Sequence, residues 1–131
     1  MTTPDQARGK TILYIEDDVV VLTAYRDRLQ KAGYDVESSV DGIEAMRILA
    51  VRTFDLVILD LVVPRFSGTE ILKAIRANPR LQATPVVVFS SNLEAADMAI
   101  SELADKILVK GHCSVEDVLQ AVGAALERVE G

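Results

Sequence analysis

The sequence contains little of several residue types whose abundance would define its class. Its 131 residues include one cysteine, four prolines and no tryptophan. A single cysteine, Cys113, cannot form an internal disulfide, which excludes a disulfide-stapled secreted fold and suits a reducing compartment. No segment approaches the ~18 consecutive apolar residues of a membrane helix, and the polar residues 1–10 lack the apolar stretch of a signal peptide. We therefore expect a cytoplasmic protein with no membrane partner.

Basic residues are also in the minority. The 14 Lys and Arg residues stand against 20 Asp and Glu residues, for a formal net charge of −6. Phosphate backbones repel an acidic chain, so we expect no nucleic-acid partner. Half of the residues are hydrophobic, which provides for a core, and the length fits one domain. The sequence predicts a polar N-terminal extension over residues 1–10, one domain over residues 11–128, and no output domain.

Short apolar runs alternate with segments of helical period, which is the pattern of a repeated β-α unit. The predicted strands cover residues 11–15, 36–38, 55–60, 86–89 and 106–109. The predicted helices cover residues 22–32, 42–51, 67–78, 93–103 and 114–129. This alternation predicts an α/β fold: a doubly wound, five-stranded parallel sheet of order 2-1-3-4-5 with helices on both faces.

Acidic side chains end two strands that this order makes neighbours. Glu16, Asp17 and Asp18 follow the first strand, and Asp60 ends the third. Functional groups collect outside the carboxyl ends of the strands where the strand order reverses. Like charges ~4 Å apart repel by about 4 kcal/mol at an effective dielectric near 20, so a proton, a basic group or a cation must offset them. Mg²⁺ is suitable because it binds one or two carboxylates together with phosphate oxygens.

Two more polar residues end the remaining strands on that side of the sheet. Lys110 follows the fifth strand, and Ser90 ends the fourth. Taken singly, each has an ordinary interpretation, as a solvated lysine or as a helix cap. Together with the acids they supply a carboxylate nucleophile, metal ligands, a hydroxyl donor and an ammonium. These are the components of phosphoryl transfer to a carboxylate.

Over nearly its whole length, from about Lys10 to Arg128, the chain resembles response-regulator receiver domains. The residues that carry the resemblance are Glu16-Asp17-Asp18, Asp60, Pro64 and Gly68 (four and eight residues after Asp60), Ser90 and Lys110. The resemblance implies the flavodoxin-like fold. It also implies that Asp60 is the phosphoacceptor, that Ser90 is the switch hydroxyl, and that Lys110 contacts the phosphoryl group.

The same resemblance implies a site for Mg²⁺ or Mn²⁺ with ligands from Asp17, Asp60, Glu16 (through water) and the backbone carbonyl of Val62. It implies a sensor histidine kinase or a histidine phosphotransfer domain as the phosphohistidine donor. A downstream protein target would bind the surface formed by the fourth helix, the fifth strand and the fifth helix. The chemistry would be self-catalysed phosphoryl transfer and autodephosphorylation only, so we do not expect an enzyme.

The chain departs from the typical receiver at three positions. Gly111 follows Lys110 where a proline is usual, Ile107 replaces a frequent Tyr or Phe, and Val62 offers no polar side chain to position a hydrolytic water. An aromatic-rotamer relay through position 107 is therefore excluded. His112 is interpreted as a plain loop residue rather than a phosphohistidine, and a redox role for Cys113 would require a lowered thiol pKa.

Three other functions remain open at this point. The chain could be an interaction module that works without phosphorylation. It could bind a flavin phosphate, although Glu16, Asp17 and Asp18 would repel that anion. It could also be an aspartate-nucleophile phosphatase, although such enzymes place an Asp-x-Asp pair after the first strand and need residues for a substrate cap.

Overall fold

A computed structural model describes residues 9–91 and 98–130, and these form alternating strands and helices. The strands are β1 (Thr11–Ile15), β2 (Asp35–Ser39), β3 (Leu56–Leu59), β4 (Val86–Ser90) and β5 (Lys106–Val109). The helices are α1 (Val19–Lys31), α2 (Gly42–Val51), α3 (Gly68–Ala77), α4 (Met98–Leu103) and α5 (Val115–Glu130). All strand pairs are parallel, and their order is β2-β1-β3-β4-β5. The predicted fold class is confirmed.

The predicted boundaries differ from the observed ones in α1 and in the strands. α1 begins at Val19, three residues before its predicted start. β2 extends one residue further at each end than predicted, and β3 is shorter, so that Asp55 and Asp60 both lie just outside it. Leu93 and Ala96, which were predicted to lie in the fourth helix, fall outside the described residues, as do residues 1–8 of the predicted extension. The division into an extension and a domain over residues 11–128 stays a prediction.

Alternation along the strands sends side chains to two separate cores. One core packs β1, β3 and β4 against α2 and α3, and the other packs the opposite face of the same strands against α1 and α5. The four residues of β3 and the five of β4 are all buried. Strands covered on both faces lose the alternation of polar and apolar residues, which explains the unbroken apolar runs in the sequence.

Both ends of α1 are fixed by local hydrogen bonds. The Asp18 carboxylate caps the N-terminus by accepting from the amides of Val20 and Val21, and aspartate is among the residues preferred at this position. At the C-terminus Gly33 has a φ of 107°, and the Tyr34 N–H donates to the Leu29 carbonyl at 3.2 Å. This is a Schellman motif, which requires a left-handed residue, usually glycine, at that position. Because Asp18 is the N-terminal cap, α1 begins directly after the acidic residues that follow β1.

Arg76 of α3 holds together the edge of the sheet opposite the carboxyl ends. Its guanidinium donates to the Leu103 carbonyl at 2.8 Å and to Asp105 Oδ2 at 3.0 Å. The same Asp105 oxygen accepts from the Val86 N–H at 2.7 Å. One side chain thus connects α3, the C-terminal end of α4 and the start of β4.

No helix among the described residues is both long enough and apolar enough to cross a lipid bilayer.

Candidate functional site

Backbone hydrogen bonds extend the sheet beyond its carboxyl ends and align the site residues there. The Asp60 N–H donates to the Ile15 carbonyl at 3.1 Å, and the Lys110 N–H donates to the Ser90 carbonyl at 3.1 Å. The Glu16 N–H donates to the Ser39 carbonyl at 3.0 Å. Because the strands are parallel, their carboxyl ends meet at one edge of the sheet. The structure brings together the four residues that were predicted to converge, namely Glu16, Asp60, Ser90 and Lys110.

The Asp60 side chain lies at the centre of this edge and is 4% exposed. Its Oδ1 accepts hydrogen bonds from the Ser90 hydroxyl at 2.9 Å and from the Val62 N–H at 3.0 Å. Its Oδ2 accepts from the Lys110 ammonium at 2.8 Å. A buried carboxylate is tolerated only when it is paired and hydrogen-bonded, and Asp60 has three donors. Its orientation is therefore fixed.

Lys110 lies between two carboxylates. Its Nζ is 2.5 Å from Glu16 Oε1 and 2.8 Å from Asp60 Oδ2, and its side chain is 17% exposed. Burial acts to lower the pKa of Lys110, but the hydrogen bonds and charges of Asp60 and Glu16 outweigh burial and raise that pKa above its ordinary value. The lysine is therefore a fixed positive charge at neutral pH.

Glu16 is a buried carboxylate with a raised pKa. Its side chain is fully buried, and burial raises its pKa from 4.5 to about 7, with the contact to Lys110 opposing the shift and the charge on Asp60 adding to it. Its Oε2 accepts from the Asp18 N–H at 3.2 Å. Its Oε1 lies within ion-pair distance of Lys110 but, among the described residues, has no hydrogen bond of regular geometry. That oxygen has capacity for a further positive partner.

The carboxylates can be bridged by one cation. Glu16, Asp17 and Asp60 each offer an oxygen atom, and these atoms lie within 4.8 Å of one another. Asp17 is exposed, whereas the other two are buried, so the group opens to solvent on one side. Three carboxylates around an incompletely bonded oxygen fit Mg²⁺, which prefers oxygen ligands and keeps several waters. The Val62 N–H is engaged by Asp60, while metal ligation by the Val62 carbonyl stays a prediction.

The loop from β3 to α3 is held tightly against this site. The Gly68 N–H donates to the Leu61 carbonyl at 3.0 Å, and a Cβ at Gly68 would lie 2.1 Å from the Asp60 carbonyl oxygen. Arg65 has a φ of 73° and forms an ion pair with Asp41 at 3.1 Å. The spacing of Gly68 from Asp60 was noticed in the sequence. The Asp41–Arg65 pair was missed because no local pattern joins two loops 24 residues apart.

An aromatic contact at the site was also missed. Lys110 Nζ lies over the Phe89 ring, 5.6 Å from its centroid, and the Tyr25 ring packs against Phe89 at 5.0 Å and 61°. The signal that could have found it is strand alternation. Phe89 pairs with Leu108 in the sheet, and Lys110 lies two residues after Leu108, so both side chains belong to the same face.

The structure also shows the surroundings of three residues that are close to Lys110 in the sequence. Ile107 packs against the core that contains α2 and α3, and His112 is an exposed loop residue. The Cys113 thiol donates to the Val109 carbonyl at 3.4 Å, and burial, followed by the charge of Asp117, raises its pKa. A reactive thiol needs a lowered pKa, so the raised pKa of Cys113 argues against a redox role.

Comparison with known proteins agrees with this geometry. The family model described as the response regulator receiver domain matches residues 12–123. The chain belongs to the response regulator receiver domain family. The DNA-binding dual master transcriptional regulator RpaA of Synechocystis sp. is 31% identical over 121 residues, which cover 91% of this chain and 50% of RpaA. The chain spans about half the length, or less, of the first curated relatives that it matches.

Solved receiver structures share the fold closely. A CheY-like receiver domain protein from Methanospirillum hungatei JF-1 has a TM-score of 0.81 and 26% identity, over 92% of this chain and 96% of that one. The response regulator TrrA of Thermotoga maritima, in complex with Mg²⁺-BeF, has a TM-score of 0.80 and 25% identity, over 88% of this chain and 98% of that one. Receiver domains are in general phosphoacceptors of two-component systems rather than enzymes, and the acidic cluster here is consistent with such a magnesium-binding phosphoacceptor site.

Proposed function

We propose that Asp60 accepts a phosphoryl group in a reaction that depends on Mg²⁺ bound by Glu16, Asp17 and Asp60. The observation that carries the proposal is the buried Asp60 carboxylate, which is contacted by Lys110 at 2.8 Å and by Ser90 at 2.9 Å. The three acidic residues bring their oxygens within 4.8 Å of one another around it. A carboxylate that needed only structural pairing would have no use for two further acids beside it.

The chemistry follows from the positions of these groups. An Asp60 oxygen attacks the phosphorus atom and forms an O–P bond while the bond between phosphorus and the donor atom breaks. Mg²⁺ held by Glu16, Asp17 and Asp60 would supply positive charge to offset the negative charge on the phosphoryl oxygens in the transition state. The Lys110 ammonium provides a second fixed positive charge, and the Ser90 hydroxyl, now a donor to Asp60, becomes a donor to a phosphoryl oxygen.

The proposal extends to the class of phosphoryl donor and to the surface that binds a downstream protein. We infer a phosphohistidine on a histidine kinase or a histidine phosphotransfer domain as the donor, with autodephosphorylation returning the site to its resting state. Mn²⁺ is expected to replace Mg²⁺, because it accepts the same oxygen ligands. A downstream protein would read the state of the site at the surface of α4, β5 and α5. The absence of a nucleic-acid partner stays a prediction from net charge. A cytoplasmic location stays a prediction from the single cysteine and from the polar residues 1–10.

The substitution Asp60→Asn tests the proposal directly. The variant keeps the shape of the side chain but removes the nucleophilic oxygen, so we expect no incorporation of phosphate from acetyl phosphate with Mg²⁺. Incorporation is measured as the mass increase of the intact protein or by Phos-tag electrophoresis. The parent protein is expected to become labelled only when Mg²⁺ is present.

The matched control is Asp35→Asn, an identical change at an exposed position at the start of β2. This variant should incorporate phosphate at the parental rate. Labelling of the Asp60→Asn variant at the parental level would refute the assignment of the acceptor. Failure of the parent itself to be labelled, with or without Mg²⁺, would favour an interaction module that works without phosphorylation.

A further inference from the structure

The position of the Lys110 ammonium depends on more than its contact with Asp60. Its ammonium sits on a flexible four-carbon chain, and two carboxylates attract it, from Glu16 Oε1 at 2.5 Å and from Asp60 Oδ2 at 2.8 Å. The next residue, Gly111, has a φ of 85°, and a Cβ built there would meet no atom within 4 Å. Side-chain packing therefore does not restrict Gly111. A further contact, besides the two carboxylates, can help to keep the ammonium beside Asp60.

Phe89 provides that contact from a rigid position. It lies in β4, directly before Ser90, and is 2% exposed. Lys110 Nζ lies 5.6 Å from its ring centroid, within the roughly 6 Å over which a ring face attracts a cation. Burial in β4 fixes the ring, and the ring also makes an edge contact with Tyr25 of α1, at 5.0 Å and 61°, an arrangement that aromatic pairs prefer.

We propose that Phe89 is a positioning residue for phosphoryl transfer, because its ring face holds the Lys110 ammonium beside Asp60. This inference rests on the proposed function. A ring face attracts the cation without neutralising it, so the N–H groups of Lys110 stay available for oxygen atoms. When Asp60 is phosphorylated, the ammonium can transfer its contact from the Asp60 carboxylate to a phosphoryl oxygen while it stays over the ring. Carboxylates alone would hold it less selectively, because Glu16 competes with Asp60.

Fluorinated phenylalanines at position 89 test the proposal with a much smaller change in packing than removal of the ring. Fluorine withdraws electron density from the ring face and weakens cation binding, while the ring keeps its shape. With saturating Mg²⁺, we expect the rate of Asp60 phosphorylation by acetyl phosphate to fall stepwise with fluorine number. With pentafluorophenylalanine the rate should be roughly threefold to tenfold below that of the parent. The Kd for Mg²⁺, measured without a phosphoryl donor, should stay within about twofold of the parent, because Phe89 is not a metal ligand.

A spectroscopic readout follows the contact itself. The ε-methylene protons of Lys110 should be shifted upfield by the Phe89 ring current in the parent protein. Phe89→Leu should abolish that shift. Tyr25→Leu removes an aromatic ring from the same cluster but not from beneath the lysine, and it should retain the shift. This pair of variants separates the lysine contact from general loss of aromatic packing.

The outcomes distinguish this inference from the function on which it rests. A parent that is phosphorylated at Asp60, with equal rates across the fluorine series, would overturn the role of Phe89 alone. A parent that is never phosphorylated would overturn both proposals. A rate that falls together with the affinity for Mg²⁺ would also contradict the inference, because it would indicate a disturbed metal site rather than a displaced ammonium.

Discussion

At the scale of single residues, Glu16 determines how the metal-free site responds to pH. Its pKa is 4.5 without the fold and about 7 in the folded protein, chiefly because it is buried. Between these two pH values the folded state binds more protons than the unfolded state. Stability therefore falls as pH rises through this range, with a slope of at most about 1.4 kcal/mol per pH unit for one group.

We expect Glu16→Gln to remove this contribution. In chelator-treated protein, the free energy of unfolding by urea, measured at intervals from pH 5 to pH 8, should decline less steeply for Glu16→Gln than for the parent. Glu37→Gln is the matched control, because Glu37 is exposed and should leave the parental slope intact. If the parent and Glu16→Gln showed the same pH profile, the site would not contain a glutamate with a raised pKa.

At the scale of elements, the connection from β3 to α3 leaves no space for a side chain at its end. A Cβ at Gly68 would lie 2.1 Å from the Asp60 carbonyl oxygen and 2.5 Å from the Leu61 Cα, both backbone atoms. Backbone cannot rotate away as a flexible side chain can, so Gly68→Ala must displace the start of α3 or the strand end that carries Asp60. Overpacking of this kind typically costs about 1–3 kcal/mol.

The expected result for Gly68→Ala is therefore a double loss, in the free energy of unfolding and in the affinity for Mg²⁺. Urea denaturation and metal titration on the same protein measure the two effects. Gly9→Ala serves as the control, because Gly9 has a φ of 81° and open space around it. That variant should lose about 1 kcal/mol through backbone strain and bind Mg²⁺ as the parent does. Unchanged metal affinity in Gly68→Ala would mean that Asp60 is positioned independently of this loop.

The predictability of each element from sequence depends on whether the decisive interactions are local. The caps at Asp18 and Ser67 and the termination of α1 at Gly33 involve residues within a few positions of one another, so their pattern is visible in the sequence. The extent of β2 was underestimated because Asp35 and Ser39 have low strand propensity. Their place in the sheet comes from pairing with Thr11 and Ile15 of β1, a tertiary interaction.

At the scale of the whole molecule, the strand order and the carboxyl-end site were predictable for a topological reason. Right-handed crossovers bring the ends of β1 and β3 together, and so Glu16 and Asp60 meet whatever the intervening sequence. The contact of Phe89 with Lys110 was not predictable in the same way. Topology places residues at an edge, but side-chain packing decides which ring lies beneath which ammonium.

Because the metal site exists only in the folded protein, Mg²⁺ should affect the stability of the whole molecule. The carboxylates of Glu16, Asp17 and Asp60 converge only when the sheet has formed, so the ion binds the folded chain and not the unfolded one. Such a ligand stabilises the folded state by RT ln(1 + [L]/Kd), or about 1.4 kcal/mol at ten times Kd. For a chain of this size that is a rise in Tm of roughly 5 °C.

Asp17→Asn tests this stabilisation by Mg²⁺, because Asp17 is the exposed one of the three acidic residues and contributes least to the packed core. In metal-free protein the loss of this negative charge beside Glu16 and Asp60 should leave the Tm unchanged or raise it. In the presence of Mg²⁺ most of the rise in Tm should be abolished. Differential scanning calorimetry with chelator, with MgCl₂, and with NaCl at equal ionic strength separates binding from screening of the net charge of −6. An equal rise in Tm for the parent and Asp17→Asn, or an equal rise with NaCl, would place the effect of Mg²⁺ on general electrostatics and not on this site.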